Sequence, residues 1–441
     1  MSDGVTALPR WRTAACIALC MLLAAPAAGL PIPESAQVHG AGNEEGIMGA
    51  RATKRVAADG NPIFVPCFNF PRVGEDGEEE HILATVPPSN VQQGHALRQK
   101  EFSVSASPAE LGAMGGEVMV AWSAPALHEA LWIGAFLAND NVTLTAPLKF
   151  QLISHFKHSA TLRFVLPNMR DDFVFVLFEG GITRESLGGA GPARVLATSA
   201  IVRVAGRHQP TGVHLALTGT SGEMRVSWTT GEGAPSQLVQ FRRGVNPPAT
   251  IPADPPSSYG TPDMCGPPAT GAGFRPPGEL QSAKLTGLSP RETVKYRVGS
   301  DAGGWSAWST FRTPPPPGKP AGQVSIVAFG DLGQFSADDA MQLCQCAASR
   351  ETTDAIYREV NSTDLVLHIG DISYARGYAS EWDFFMDQIS PIASRIPWMT
   401  AVGNHERDWP SSGSAVGNID SGGECGVAYT KRFPMPQGGG G

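Results

Sequence analysis

The segment GDISYARGYASEWDFFMDQISPIASRIPWMTAVGNHERDWP, residues 370–410, decides the fold class of the C-terminal part of this 441-residue chain. It follows the apolar run Leu365–Ile369 and contains a stretch that we predict as a helix, Trp382–Ala393. It then reaches a second apolar run, Trp398–Val402, which ends at Gly403-Asn404-His405-Glu406. Continuous apolar runs separated by a helical stretch are typical of parallel strands that are buried on both faces.

The same pattern extends upstream. The apolar run Val324–Phe329 ends at Gly330-Asp331 and is followed by a predicted helix, Ala337–Val360. Strand, helix, strand, helix and strand in this order predict an α/β domain with a parallel sheet over residues 323–441. Three polar motifs then follow three neighbouring strands, at the edge where open α/β sheets place their sites.

These strand ends carry side chains suited to a metal centre. Asp331, Asp371, Tyr374 and Asn404 offer oxygen donors, which suit hard or borderline cations, and an aspartate can bridge two metals. A glycine precedes each strand-end Asp and Asn, which predicts a sharp backbone turn that directs the side chain into the cleft. A metal pair here would bind a phosphate ester and activate water for an in-line displacement. Each motif alone is more typical of a turn, and the three together carry the prediction.

The motifs GDLG (330–333), GDISY (370–374) and GNHE (403–406) resemble three of the five metal-site blocks of the purple acid phosphatases, within the calcineurin-like metallophosphoesterases. The stretches HIGDISYARGY, GNHERDWP and DSGGECGVAYTKRFPMP are similar to those of the large plant and algal members. The resemblance covers about residues 102–441 and is most specific over 324–436.

The resemblance implies a role for each matching residue. Asp331 would ligate Fe(III), Asp371 would bridge the metals, Tyr374 would be the ferric tyrosinate, and Asn404 would ligate a divalent iron, zinc or manganese ion. His405 would be the catalytic residue outside the metal ligands, contacting substrate phosphate or aiding protonation of the leaving group. Glu406 would orient its loop. The implied reaction is hydrolysis of phosphate monoesters and anhydrides at acid pH.

Two nearby polar residues have simpler interpretations. His368 lies within an apolar strand, and alternation points its side chain away from that of Ile369, so we predict a core or supporting histidine rather than a ligand. Asp364 precedes the strand and is predicted as a cap or turn residue.

Two β-sandwiches are predicted before the α/β domain, over residues 99–206 and 207–313. Short alternating runs such as Phe173–Phe178 indicate strands, and GEMRVSW (222–228) repeats GEVMVAW (116–122). Trp122 and Trp228 are predicted to fill the cores between the sheets. The second domain is similar to a fibronectin type III module, with Tyr296 as its corner residue. The prolines of 314–322 predict a stiff linker.

The N-terminus indicates secretion. Arg10 and Arg12 precede the apolar run Ala14–Ala25 and a small-residue stretch, which predicts a cleaved signal peptide over 1–30 and extracellular localisation. Residues 31–98 are predicted to be an irregular segment. Later runs are too short to predict a membrane span. The sequons at Asn141 and Asn361 agree with secretion. A formal charge of −8 without a basic cluster argues against a nucleic-acid polymer as partner.

Cysteine and histidine positions lead to a further expectation. Removal of the signal would leave Cys67, Cys265, Cys344, Cys346 and Cys425, an odd number. The family's later blocks supply histidine ligands, yet no histidine follows His405. We therefore expect a C-terminally truncated chain with half a catalytic domain, a sheet uncovered on one face, a Cys425 without its partner, and little activity.

Two other functions remain open at this point. A nucleotide pyrophosphatase or phosphodiesterase of the same family would share the retained motifs, because substrate choice depends on the other loops. A noncatalytic secreted protein could use the β-domains for binding beside a degenerate enzyme half. The resemblance also makes a homodimer possible. The physiological substrate does not follow from the sequence.

Overall fold

The computed structural model describes strands 55–56, 62–63 and 92–93 and residues 102–125, 131–153, 157–180, 193–316, 324–336, 338–343, 345–413 and 418–436. The predicted signal peptide, most of segment 31–98, Cys67, Cys344 and most of the predicted linker lie outside the described residues. Among the described residues, no helix combines the length and apolarity that crossing a bilayer requires.

The first region, residues 102–204, contains two facing sheets. Its strands, with three short ones before it, are β1 Arg55–Val56, β2 Pro62–Ile63, β3 Gln92–Gln93, β4 Ser103–Ser107, β5 Glu110–Leu111, β6 Gly115–Ser123, β7 Leu131–Leu137, β8 Lys149–Leu152, β9 Ser159–Pro167, β10 Phe173–Glu179, β11 Arg194–Thr198 and β12 Arg203–Val204. The sheets have the orders β3-β11-β10-β7-β8 and β4-β6-β9. Val120 and Trp122 of one sheet and Ile133 and Phe175 of the other share one hydrophobic core, as predicted for Trp122.

The second region, residues 211–312, also consists of strands around its own core. They are β13 Thr211–Ala216, β14 Met224–Thr230, β15 Leu238–Arg243, β16 Ala249–Pro252, β17 Glu279–Leu285, β18 Thr293–Ser300, β19 Gly304–Trp305 and β20 Ser309–Arg312, with a 3-10 helix Thr261–Asp263. The sheets are β13-β14-β17 and β16-β15-β18-β19, and β20 pairs with β18. Trp228 is buried in this core as predicted. The hydroxyl of Tyr296, however, donates to the carbonyl of Ser394, so it ties this region to the next one instead of bracing its own corner.

The C-terminal region, residues 324–436, is the predicted α/β unit. Its elements are β21 Ile326–Phe329, α1 Ala347–Arg358, β22 Leu365–Ile369, α2 Ala379–Ala393, β23 Trp398–Ala401, α3 Asn404–Arg407 and α4 Val427–Arg432. The strands pair in the order β21-β22-β23, and both pairings are parallel. Trp398, Phe385 and Ile389 lie in the core that the sheet shares with its helices. The predicted parallel sheet is therefore confirmed.

The first predicted helix of this region was too long. The described residues of 331–346, which exclude 337 and 344, form a connection without helix, and α1 begins only at Ala347. The connection is anchored on the first region: Met341 exchanges two backbone hydrogen bonds with Phe150, and the ammonium of Lys149 lies 2.6 Å from Asp338 Oδ2 with both side chains fully buried. These long-range partners, which a local pattern does not contain, explain why the segment is not helical. We call residues 331–346 the anchored connection.

A disulfide joins the second and C-terminal regions. Cys265 and Cys425 are bonded across 160 residues of sequence, so the expectation that Cys425 lacks a partner was wrong. The backbone bond from Cys265 N to Gly423 O, 2.8 Å, runs beside it. Long-range pairing is not readable from cysteine positions alone, and the odd number of cysteines had suggested the opposite.

One face of the parallel sheet is exposed. Ile326, Ile369 and Val402 are 49%, 63% and 44% exposed, whereas Val366 and His368, which point to the helices, are almost fully buried. Among the described residues the sheet is thus covered on one side only, as expected from the sequence. We call the other side the open face.

Candidate metal centre

The strand-end turns place three predicted ligands in an uncommon backbone conformation. Asp331, Asp371 and Tyr374 have φ of 58°, 51° and 53°, in the left-handed region that non-glycine residues seldom adopt. Such strained residues concentrate at functional sites, where surrounding contacts hold them.

The preceding glycines act differently from the prediction. Gly370 has a positive φ of 77°, but Gly330 and Gly403 do not. A Cβ at Gly403 would lie 2.1 Å from Asp371 Oδ1, so this glycine leaves room for a carboxylate. The sharp turns are made largely by the aspartates themselves, and the glycine at 403 permits close approach.

Tyr374 joins the two carboxylates. Its hydroxyl lies 2.9 Å from Asp331 Oδ1, to which it donates, and 3.4 Å from Asp371 Oδ2. The His405 ring packs against the Tyr374 ring with centroids 4.5 Å apart, and the His405 backbone N–H donates to Asp371 Oδ1 at 3.2 Å. Four of the five residues singled out from the sequence are therefore in mutual contact, although they lie on three separate strand ends.

Glu406 holds these turns together. Its buried carboxylate accepts hydrogen bonds from the backbone N–H groups of Asp371, Ile372 and Gly403, at 3.0, 2.7 and 2.9 Å. It thereby fixes the second turn against the third, which agrees with the loop-orienting role expected from the resemblance.

The cluster concentrates negative charge in a poorly solvated place. Burial, followed by the charge of Glu406, raises the pKa of Asp371 to about 7. Burial and the two neighbouring carboxylates raise the pKa of Tyr374 above its ordinary value. Desolvation and like charges both oppose ionisation, and a bound cation would offset both.

Asn404 and His405 have a common neighbour that sequence reasoning missed. Asn404 Nδ2 donates to Asp420 Oδ2 at 2.9 Å, and His405 Nδ1 lies 3.3 Å from the carbonyl oxygen of Asp420. Asp420 lies outside the three motifs, in a Gly/Ser-rich stretch without a regular pattern. The similarity of DSGGECG to the large plant and algal members was the one signal that could have found it.

Comparison with known proteins decides the family. Residues 210–313 match the purple acid phosphatase N-terminal domain, and residues 324–436 match the calcineurin-like phosphoesterase family. The structure of purple acid phosphatase PPD1 from yellow lupin (Lupinus luteus) seeds superposes with a TM-score of 0.69 and 33% identity, over 76% of this chain and 63% of that one. The chain belongs to the purple acid phosphatase family.

Relatives within the purple acid phosphatases differ in their stated activity. The chain is 36% identical over 376 residues to an Arabidopsis thaliana protein named probable inactive purple acid phosphatase 1, covering 77% of this chain and 59% of that protein. It is 45% identical over 133 residues to a barley (Hordeum vulgare) nucleotide pyrophosphatase/phosphodiesterase, covering 30% and 36%. The chain thus spans about three fifths of the length of the first of these curated relatives.

The oxygen donors of the four predicted ligands fit the metal pair of the family in their chemistry. Only two of these ligands are acidic, and none is a histidine or a cysteine. Within the described ranges, no group of three or more His, Cys, Asp and Glu side chains is arranged to hold a metal ion. Two of the four predicted ligands, Tyr374 and Asn404, are of other residue types. The raised pKa of Asp371 and the convergence of three oxygens nevertheless suit a cation.

His368 and Asp364 are not in the cluster. His368 is 1% exposed and packs against the rings of Phe329, Phe385 and Trp398, and burial lowers its pKa to about 3. The predicted core role is confirmed. Asp364 accepts a hydrogen bond from Ser325 N at 2.9 Å, at the start of the sheet and away from its carboxyl edge.

Proposed function

We propose that this protein is a metal-dependent phosphoesterase whose centre includes Asp331, Asp371, Tyr374 and Asn404, with His405 as the catalytic side chain beside it. The observation that carries the proposal is the position of the Tyr374 hydroxyl, within 3.4 Å of both carboxylates at the carboxyl edge of a parallel sheet. Asp371 is half-buried, and burial together with the charges of Glu406 and Asp331 opposes its ionisation. A bound cation would offset these terms, which makes a metal-binding role the simplest account.

The expected ions are Fe(III) and a divalent iron, zinc or manganese ion. Such a pair would neutralise phosphate charge and lower the pKa of water, so that water can attack phosphorus. Asp331 and Tyr374 would hold one ion, Asn404 would hold the other, and Asp371 would contact both. His405 Nδ1 lies 3.3 Å from the carbonyl oxygen of Asp420, so Nδ1 carries a proton that it donates there. Nε2 would donate to a phosphate oxygen or to the leaving group when the ring is protonated on both nitrogens, which acid pH favours.

The proposed activity is that of a secreted acid phosphatase acting on phosphate monoesters. The wider architecture proposed with it is a signal peptide, two β-sandwiches, the second of fibronectin type III kind, and a possible homodimer. Relatives named as probably inactive argue for weak or absent activity in this chain.

A diesterase is the second candidate, and it is favoured by the 45% identity over 133 residues to the barley nucleotide pyrophosphatase/phosphodiesterase. The two activities are separated by rates on p-nitrophenyl phosphate, bis(p-nitrophenyl) phosphate and ATP. A noncatalytic binding protein would hydrolyse none of them and would take up no stoichiometric iron.

The test is reconstitution with Fe(III) and Zn(II), followed by metal analysis and visible absorption. We expect bound iron and a tyrosinate charge-transfer band that Tyr374→Phe abolishes. Tyr429→Phe is the matched control, because the Tyr429 hydroxyl contacts Thr400 rather than the carboxylates. Absence of stoichiometric iron, or a band unchanged by Tyr374→Phe, would refute the proposal.

A further inference from the structure

Asp420 touches the candidate centre through two different atoms. Its side-chain Oδ2 accepts the Nδ2 hydrogen bond of Asn404, and its backbone oxygen faces Nδ1 of His405. Asn418 Nδ2 lies 3.2 Å from the same Oδ2 and donates to it as well. One residue therefore contacts both the predicted amide ligand and the predicted catalytic histidine, from a segment that contributes neither.

The chemistry of these contacts is directional. An ionised carboxylate only accepts hydrogen bonds, whereas an asparagine amide has a donor end and an acceptor end. Because Asp420 Oδ2 takes the donor end, Asn404 Oδ1 is directed away from Asp420. An amide ligates a metal through that oxygen, and a polar partner that fixes the orientation of a ligand commonly raises metal affinity.

We propose that Asp420 is a positioning residue that orients Asn404 through its side chain and His405 through its backbone oxygen. This inference rests on the proposed metal centre. It assigns to the segment 418–425 a part in building the site, although none of the three sequence motifs includes it.

The segment is held firmly enough for this role. Ser421 is fully buried, and both its N–H and its hydroxyl donate to the Asp408 carbonyl, at 3.1 and 2.8 Å. Four residues further on, Cys425 is bonded to Cys265 of the second region. Asp420 thus directly precedes two fixed points, and the hydrogen bonds from Asn404 and Asn418 hold its carboxylate.

The alternative is that Asp420 acts only by its negative charge, or only as a surface contact. Two substitutions separate these roles. Asp420→Ala removes the acceptor and the charge but keeps the backbone oxygen for His405. Asp420→Asn removes the charge but retains an acceptor oxygen for Asn404 Nδ2.

The experiment is a Mn(II) titration of the purified full chain followed by electron paramagnetic resonance, in which bound Mn(II) loses the six-line signal of the free ion. We expect Asp420→Ala to raise the Mn(II) Kd by roughly tenfold or more. Asp420→Asn should stay within about threefold of wild type, and Asp420→Ala should add nothing in an Asn404→Ala background. Asp354→Ala, which removes an exposed carboxylate of α1 that pairs with Arg350, should leave the Kd unchanged.

Each outcome has a definite meaning. A wild-type Kd for Asp420→Ala, or an equal loss for Asp420→Asn and Asp420→Ala, overturns the positioning role while leaving the metal centre intact. An unchanged effect of Asp420→Ala in the Asn404→Ala background overturns it too. If wild type itself binds no Mn(II), the metal centre fails and the inference fails with it. Thermal unfolding of each variant identifies any loss caused by misfolding. If Asp420→Ala misfolds, a loss of roughly tenfold or more in a folded Asp420→Asn overturns the positioning role.

Discussion

The first region and the C-terminal region bury their apolar side chains in different ways. In the first region two sheets face each other, and side chains such as Val120 and Phe175 fill the space between them. In the C-terminal region the parallel sheet packs on its helices on one side and leaves the open face on the other. The core of the first region is formed mainly by its own strands, with Ala340 and Phe384 added from the C-terminal region. The C-terminal region is tied to its neighbours by the disulfide, the anchored connection and the Tyr296 hydroxyl.

The largest effect that would test this dependence is loss of the disulfide. Cys265→Ser with Cys425→Ser should lower the free energy of unfolding by about 3–5 kcal/mol, because the bond closes a long loop in the unfolded chain. Chemical denaturation with and without reductant measures it. A wild type indifferent to reductant would show that the C-terminal region does not need this link.

The next test concerns the anchored connection. Lys149→Met leaves Asp338 buried without its cation and should cost about 3–5 kcal/mol, with residues 331–346 exchanging their amide hydrogens faster. Hydrogen-exchange mass spectrometry measures the amide protection of the anchored connection separately from that of the rest of the chain. The control is Arg203→Met, which removes an exposed ion pair with Glu110 and should change stability by less than about 1 kcal/mol. Equal protection of the connection in the two variants would contradict the dependence.

The buried side chain of Glu424 should make the stability of the C-terminal region depend on pH. Burial raises the pKa of Glu424 to about 8, against 4.5 for the free group. The folded protein therefore holds a proton that the unfolded chain releases, and this contribution is complete below pH 4.5 and lost as the pH rises towards 8. Glu424→Gln still accepts a hydrogen bond from the Trp382 indole but does not titrate. It should therefore remove this decline in the free energy of unfolding, which amounts to up to about a few kcal/mol at pH 8. Unfolding curves from pH 5 to 8 measure it, and parallel declines in variant and wild type would refute it.

The smallest effects are expected from substitutions on the two faces of strand β22. Val366→Ala, on the helix side, should cost about 1–3 kcal/mol, whereas Ile369→Ala, on the open face, should change stability by less than about 0.5 kcal/mol. Denaturation midpoints measure both. Comparable losses would mean that the open face is covered in solution, and the comparison between the regions would fail.

Sequence reasoning located the strands well and the long-range links poorly. The parallel sheet and the five candidate residues followed from apolar runs that end in polar motifs, because both are local in sequence. The start of α1 was missed since Met341 pairs with Phe150, nearly two hundred residues earlier. Cys265–Cys425 and Asp420 were missed for the same reason: their partners are brought together only by the fold. Taken alone, the largely apolar pattern of β22 is typical of a strand buried on both faces, but only one of its faces is buried.

The anchored connection also bears on how such a protein can change over evolution. It begins at a predicted metal ligand, crosses to Phe150 and Lys149, and returns to the helix that supports the sheet. Recombination that exchanged the C-terminal region alone would separate Asp338 from Lys149 and leave the connection without its strand partner. The first region and the phosphoesterase region are therefore expected to be inherited together, and substitutions at Lys149 and Asp338 to occur in pairs.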